Sequence, residues 1–556
     1  MDETWVWWKH GVIYQIYPRS FYDSNGDGVG DIPGIIAKLD YLARLGVDGV
    51  WLSPVYPSPM RDFGYDVSDY RGIDPVFGTL EDFDRLLAEA HRRGIRIIMD
   101  MVLNHTSDAH PWFAASRSSR DDPRRDWYIW RDGRKDGPPN NWLSAFGGSA
   151  WEWDGATGQY YLHSFLPEQP DLNWRSPALK EAMFNELRFW LERGVDGFRL
   201  DVINWIVKDD RFRDNPRSLF SLDLQRHRYD RNRPEAYDIA RELRRLVDSY
   251  GDRMLVGEVF ALPPGSPVRS ARFLCDGEGL HLAFDFNLLY QPWSARRWYR
   301  SVRRWLSLVP RAGWACHVLS NHDQPRAISR FEKRGETDRR ARVAAAFLLT
   351  VPGAPFLYYG EEIGMRGRRI SRAELQDPLG KRYWPLYAGR DPSRTPMQWS
   401  AGANAGFTTG TSWLPPGPDL AEANVSDQID DRYSLLNFYR ALIALRRRKP
   451  ALHGGNWVPL AHGFRGVIAY YRECGAEVAC VVLNFSSRRR RISLHGRAHW
   501  KVLLSTHRPR YEHFLELRME LAPCEATILE MIGGARTKKR KGARPFHGDE
   551  SRMRGN

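Results

Sequence analysis

VDGFRLD (195–201) is a run of strand-forming residues that finishes on an acid. A strand covered on both faces of a parallel sheet reads as a near-continuous Val/Ile/Leu run, so a terminal carboxylate works against the burial before it. The same pattern recurs in MLVGE, ending at Glu258, and in HVLSNHD, ending at Asp323. A single such acid would be a satisfied structural carboxylate. Three, at spaced strand ends, imply one shared acidic pocket, and a barrel of alternating strands and helices builds its site at those ends. Paired carboxylates without an obvious thiol or Ser/His nucleophile suit glycoside cleavage, in which one acid attacks and another protonates the leaving oxygen.

Working outward, further strand-like runs are GVIYQIY (11–17), GVDGVWLSP (46–54), IRIIMDMVLNH (95–105), LHLAFDF (280–286) and PFLYYGEE (355–362). With the three acid-ended runs they make eight. Helical periodicity lies between them, as in TLEDFDRLLAEAHRRG (79–94) and LKEAMFNELRFWLERG (179–194). Alternation of this kind predicts an α/β chain folded as a (β/α)8 TIM barrel. Residues 106–171, dense in Trp, Gly, Pro and Asp, interrupt the order as a subdomain inserted after the third strand. The barrel therefore spans 1–105 and 172–456. Residues 457–533 alternate short strands with turns and predict a C-terminal antiparallel β-sandwich. The Gly/Lys/Arg-rich stretch 534–556 reads as a disordered basic tail.

The chain has 556 residues, 22 of them Trp, and a formal net charge of +14. That length calls for two or three domains, and tryptophan faces suit sugar rings, although most belong to a core of this size. Five cysteines (275, 316, 474, 480, 524) lack paired or zinc spacing, which favours a reducing compartment. With no signal-like N-terminus and no membrane-length apolar run, a cytoplasmic location is expected. Basic runs at 446–449, 488–491 and 538–541 are read as solvated surface, with no specific nucleic-acid or membrane partner and with the oligomeric state left open.

The motifs IYQIYPRSFYDSNGDGVGD (13–31), DFGYDVSDY (62–70), DMVLNH (100–105), QPDLNW (169–174), GFRLD, GE, NHD and RTPMQW (394–399) together resemble glycoside hydrolase family 13, the α-amylase clan. The match extends to about residue 533 and is nearest the α-glucosidase and oligo-1,6-glucosidase branch. The resemblance implies Asp201 as nucleophile, Glu258 as general acid and then base, and Asp323 as stabiliser of the transition state. Arg199, two residues before Asp201 on one strand face, is placed to hold Asp201 ionised. His105 and His322 would donate to sugar hydroxyls, and Tyr65 would floor the glucose subsite. Asp62 and Arg394 would form the ion pair that closes that subsite and makes the enzyme exo-acting on short oligosaccharides.

Asp23, Asn25, Asp27, the Val29 carbonyl and Asp31 alternate as in an EF-hand-like loop, but position 12 falls on Gly34, so the bidentate Glu is missing. By resemblance the loop holds a structural Ca²⁺, or Mg²⁺. Val202, next to the nucleophile, accompanies acceptance of α-1,6 links in related enzymes, against Thr or Ala for α-1,4. Its methyls bias acceptor orientation by only about 1–3 kcal/mol, and the stretch 203–234 is expected to shape the acceptor site. A transglucosylase or an α-1,4-preferring α-glucosidase would use the same catalytic residues. Sucrose isomerases carry a charged Arg/Asp loop after NHD where this chain reads QPRAISRF (324–331). Transporter heavy chains share the fold but need an anchor and lack the catalytic set.

Overall fold

Eight parallel strands occur where the apolar runs place them. In the computed structural model, which describes residues 5–534 except 136, 220, 222, 261–265, 463, 495–497, 509–511 and 515–516, these are β1 (Ile13–Ile16), β2 (Gly49–Leu52), β3 (Arg96–Val102), β4 (Gly197–Asp201), β5 (Met254–Gly257), β6 (Leu282–Ala283), β7 (Cys316–Val318) and β8 (Ala354–Tyr358). They pair in the sheet order β7-β8-β1-β2-β3-β4-β5-β6. A parallel bridge between Phe284 and Cys316 joins the two edges and closes the barrel. The expected tail lies almost wholly in 535–556, outside the described residues.

Alternation along each strand sorts side chains between two cores. Ile13, Trp51, Ile98, Val256, Cys316 and Phe356 fill the barrel interior, while Tyr14, Val50, Ile97, Met99, Phe198 and Leu200 face the helices outside. The helices are capped as their sequences require. Thr79 and Asp82 form a reciprocal capping box at the start of the helix Leu80–Arg92, and Gly194, at φ 105°, ends the helix Pro177–Arg193.

After β3 the chain leaves the barrel, and an antiparallel bridge between His105 and Asp171 ties the departing and returning strands together. Between them lie the helix Pro111–Ser118 and a three-stranded antiparallel sheet of Trp130–Arg131, Gln159–Leu162 and Trp151–Asp154. Beyond the barrel, a six-stranded antiparallel sheet packs against a two-stranded one, Arg490–Leu494 with Leu517–Leu521. The strand Glu477–Asn484 explains why its sequence is apolar on both faces. Val478, Cys480 and Val482 meet the small sheet, and Ala479, Val481 and Leu483 meet the barrel.

Candidate active site

The inner face of the barrel is apolar at the bottom and turns polar toward the C-terminal strand ends. In register, Ile98 pairs with Gly197, Asp100 with Arg199 and Val102 with Asp201, so one step along β3 and β4 exchanges a hydrocarbon floor for charge. Arg199 is 1% exposed. One of its amino groups donates to Asp100 Oδ1 and to Asp201 Oδ1, each at 2.7 Å, and the other donates to Glu258 Oε2. A single guanidinium thus fixes the two acids that end β4 and follow β5. Glu258 follows Gly257, where a Cβ would lie 3.2 Å from Ile203 and 2.3 Å from Leu280, so the absent side chain lets β5 sit tightly under the loop that follows Asp201.

Burial raises the Glu258 carboxyl, and Asp201, Asp323 and Asp100 add their repulsion; against the opposing Arg199 cation the net result is a pKa of about 8. Asp100 is likewise raised by burial and by Asp201, to about 7, although Arg199, Trp51 Nε1 and Tyr65 Oη all donate to it. Asp323 is opposite in sense. Burial pushes it up, but the cations of Arg390, Arg394 and Arg199 outweigh that and hold it below the usual carboxylate range.

Asp62, Tyr65, His105, Asp201, Val202, Glu258 and Asp323 all line one cavity of about 570 Å³. One end is shut by charge. Arg390 donates to Asp62 Oδ1 at 2.5 Å and to Asp377 Oδ1 at 2.6 Å, and its other amino group lies 3.6 Å from Asp323. Gln169 donates to Asp62 Oδ2 at 3.3 Å and lies 3.1 Å from His105.

Residues 15–455 match the family described as α-amylase, catalytic domain. The chain belongs to the α-amylase family. As a family member it is a glycoside hydrolase with relatives along nearly its whole length. A probable α-glucosidase of Rhizobium meliloti (strain 1021) is 44% identical over 495 residues, covering 86% of this chain and 89% of the relative. The oligo-1,6-glucosidase of Parageobacillus thermoglucosidasius is 43% identical over 515 residues, covering 87% and 91%. Among solved structures, an α-glucosyl transfer enzyme superposes with a TM-score of 0.88 at 42% identity, covering 95% of this chain and 100% of that one. The trehalulose synthase of Pseudomonas mesoacidophila MX-45 gives 0.87 at 37%, covering 94% and 99%.

Within this α-amylase-family barrel, three expectations need correction. The partner of Asp62 is Arg390, not Arg394. A 3-10 turn at Asp391–Ser393 separates the two arginines, and Arg394 is turned to the His322 carbonyl at 2.9 Å and to Asp323 Oδ1 at 2.8 Å. His322 does not reach the cavity. It is fully buried, with Nδ1 2.8 Å from Gln15 Nε2 and Nε2 2.7 Å from Tyr65 Oη, and burial lowers it to about 3, so it stays neutral. Its ring stacks on Tyr65 at 5.5 Å and so supports that side chain from behind. Finally, β7 stops at Val318 and Asp323 lies on the turn beyond it, where Asn321 Oδ1 accepts the Asp323 N–H at 2.9 Å. His105 does line the cavity, with Nε2 3.0 Å from the Tyr65 carbonyl.

Val202 sits at φ 36°, ψ 43°, a left-handed conformation that is unusual for a β-branched residue. The turn lets the next N–H, of Ile203, donate to the Glu258 carbonyl at 3.0 Å. Strain at this residue therefore ties the strand of one acid to the segment of the other.

The loop 23–31 is built from successive turns. Asp23 Oδ1 accepts from the Asn25 N–H, Asn25 Oδ1 from Asp27 and Asp27 Oδ1 from Val29, at 3.0, 2.9 and 2.8 Å. Asp31 caps the helix Ile32–Ala37 through Gly34 and holds Ser24 with its other oxygen. Among the described residues no group of three or more His, Cys, Asp or Glu is placed to hold a metal. The donor chemistry, all hard oxygen, nevertheless fits Ca²⁺ or Mg²⁺.

The basic runs are partly interior. Arg446 is 1% exposed and donates to the carbonyls of His10, Leu349, Gly353 and Leu452. All five cysteines are free, and no helix among the described residues is long and apolar enough to cross a membrane.

Proposed function

We propose that the chain is an exo-acting, retaining α-glucosidase that removes glucose from the non-reducing end of short, oligo-1,6-glucosidase-type substrates. The observation that carries this reading is the cavity shut by Asp62, Arg390 and Asp377 at one end, with Asp201 and Glu258 on one guanidinium beside it. A pocket closed by charge admits a chain end and not the middle of a polymer. Its volume suits a small ligand, for which roughly 300–1,000 Å³ is usual.

Asp201 has one oxygen fixed by Arg199, and its other oxygen attacks C1 of the bound glucose. Glu258, protonated at neutral pH, gives its proton to the glycosidic oxygen, and the leaving sugar departs as an alcohol. Glu258, now a carboxylate, takes a proton from water; the resulting oxygen attacks C1, and the Asp201 carboxylate is released. Two inversions leave glucose in its original anomeric form. Asp323, kept charged by its arginines, takes ring hydroxyls and stabilises the oxocarbenium-like transition state. Family membership and the relatives named as α-glucosidases support these roles.

The test is kcat/KM for isomaltose, maltose and sucrose side by side, with Asp201→Asn as the blank. Isomaltose is expected to lead, since Val202 lines the cavity next to Asp201. A lead for maltose or sucrose would keep the mechanism and remove the linkage assignment. Transfer of glucose to sugars is the second reading, favoured by the likeness to an α-glucosyl transfer enzyme, and product analysis at high substrate concentration separates it. Isomerisation of sucrose is less well supported. In QPRAISRF, Arg326 and Arg330 spend their guanidinium groups on the carbonyls of Tyr359, Leu289 and Leu319.

A Ca²⁺ or Mg²⁺ ion on the loop 23–31 belongs to the same proposal, taken by oxygens of Asp23, Asn25, Asp27 and Asp31 and by the Val29 carbonyl, with Asp23 exchanging one of the four hydrogen bonds its carboxylate accepts. None of these residues lines the cavity. Chelation should lower Tm by several degrees, and added Ca²⁺ should restore it, because an ion bound only by the folded state stabilises it. An unchanged Tm would remove the ion. Five free cysteines support a cytoplasmic location, which fractionation of the native host would check.

A further inference from the structure

The catalytic cavity has a second polar wall, apart from the Asp62–Arg390 network. Asp223 and Arg231 both line it, on the irregular stretch that follows β4. Arg231 is 5% exposed, with its guanidinium 3.7 Å over the ring of Trp205. Its Nε and one amino group donate to Asp230 Oδ2 at 3.2 and 3.0 Å, and that amino group also lies 2.6 Å from His227 Nδ1. The other amino group takes no protein hydrogen bond among the described residues. His227 Nε2 lies 2.6 Å from Asp223 Oδ2, and Ser221 Oγ donates to Asp223 Oδ1 at 2.5 Å, so Asp223 is fixed as well.

Trp205 joins this wall to the reacting centre. It packs in one apolar cluster with Val202, Phe165 and Phe146 and stacks on Phe165 at 5.1 Å. The donor glucose is enclosed by the other set of polar groups, so the Trp205 side of Val202 faces what leaves. A buried guanidinium on an indole face is stiff, and it costs little side-chain entropy when it donates. With a fixed carboxylate beside it, the wall offers adjacent donor and acceptor groups, which match the hydroxyl edge of a neutral sugar. Asp230 already balances the Arg231 charge and Asp223 adds a negative one, so an anionic leaving group is a poor match.

We infer that Arg231, held by Trp205 and Asp230, reads the hydroxyl groups of the leaving sugar together with Asp223 and so sets acceptor-side specificity; this rests on the α-glucosidase reading above. The experiment compares kcat/KM for isomaltose or maltose with that for an aryl α-glucoside, whose leaving group carries no sugar hydroxyls. Arg231→Ala should lower the ratio of the two by roughly ten- to a hundredfold, the range for losing a hydrogen bond from a charged donor, and Arg231→Lys should recover part of it. Because Arg231→Ala leaves buried Asp230 with His227, 2.6 Å away, in place of its Arg231 cation, the neutral pair Asp230→Asn/Arg231→Gln is measured beside it and should lower the ratio in the same direction. Equal losses on both substrates would reduce Arg231 to a structural strut, and an unchanged ratio would show no contact; either overturns the inference. If the wild-type chain turned over neither substrate, the α-glucosidase reading would fail first and this inference with it.

Discussion

Replacing Asp201 by Gly should cut turnover of an aryl α-glucoside by on the order of 10⁴-fold or more, the scale seen when one member of a concerted catalytic set is removed. Asp201 is 6% exposed, and its Oδ1 is fixed by Arg199. The deletion leaves a hole on the face from which C1 is attacked. Azide entering that hole should restore turnover and give β-glucosyl azide, inverted at C1, because a single displacement replaces two. Recovered activity with the α-configured product would show attack from elsewhere and remove Asp201 as nucleophile. Far-UV circular dichroism checks that the barrel persists once the Arg199 partner is gone.

Glu258→Gln should separate substrates by how much help their leaving group needs. A sugar alcohol leaves only if protonated, so turnover of a disaccharide should drop by roughly 10²–10⁴-fold. An aryl leaving group of low pKa needs no proton; the first half-reaction should survive, with a burst of phenol before slow hydrolysis. The wild-type pH profile carries the matching signature. The Glu258 carboxyl is held up to about pH 8, so its acid form is present below that value and is lost as the pH rises through it. For disaccharides kcat/KM should therefore fall on the alkaline side of about pH 8, and the Gln variant should lose that limb. Equal losses on both substrates, or an alkaline limb kept by the variant, would assign the proton to another group.

Much of the fold and part of the site are legible in the sequence. The eight strands were legible because burial on both faces forces near-continuous apolar runs, and Asp201 and Glu258 stood out as acids ending such runs. Asp100 was hidden inside a longer run, in mid-strand, where nothing in IRIIMDMVLNH separates an inward acid from a satisfied one. The Asp62 partner is ambiguous in sequence because GRDPSRTPMQW offers two arginines four residues apart. Only the turn between them decides that Arg390 reaches Asp62, 328 residues away in sequence, and that Arg394 reaches Asp323. Asp223 and Arg231 belong to a loop without periodicity, so no pattern announced their side-chain directions. The left-handed Val202 could not be foreseen either, since its residue type argues against that conformation.

The shared grip of Arg199 on Asp201 and Glu258 has a consequence for timing. In the resting site the charge on Asp201 is one of the reasons Glu258 clings to its proton. In the proposed mechanism Asp201 becomes an ester of glucose; that charge is then gone while the cation of Arg199 remains, so the affinity of Glu258 for a proton would drop. The drop arrives halfway through the cycle, when Glu258 has just released its proton and is required to stay ionised until water approaches. Releasing the glucose restores the Asp201 charge and with it the tight hold on the proton. The same bond that is made and broken thus resets the acid on each turnover, and no movement of the backbone is required.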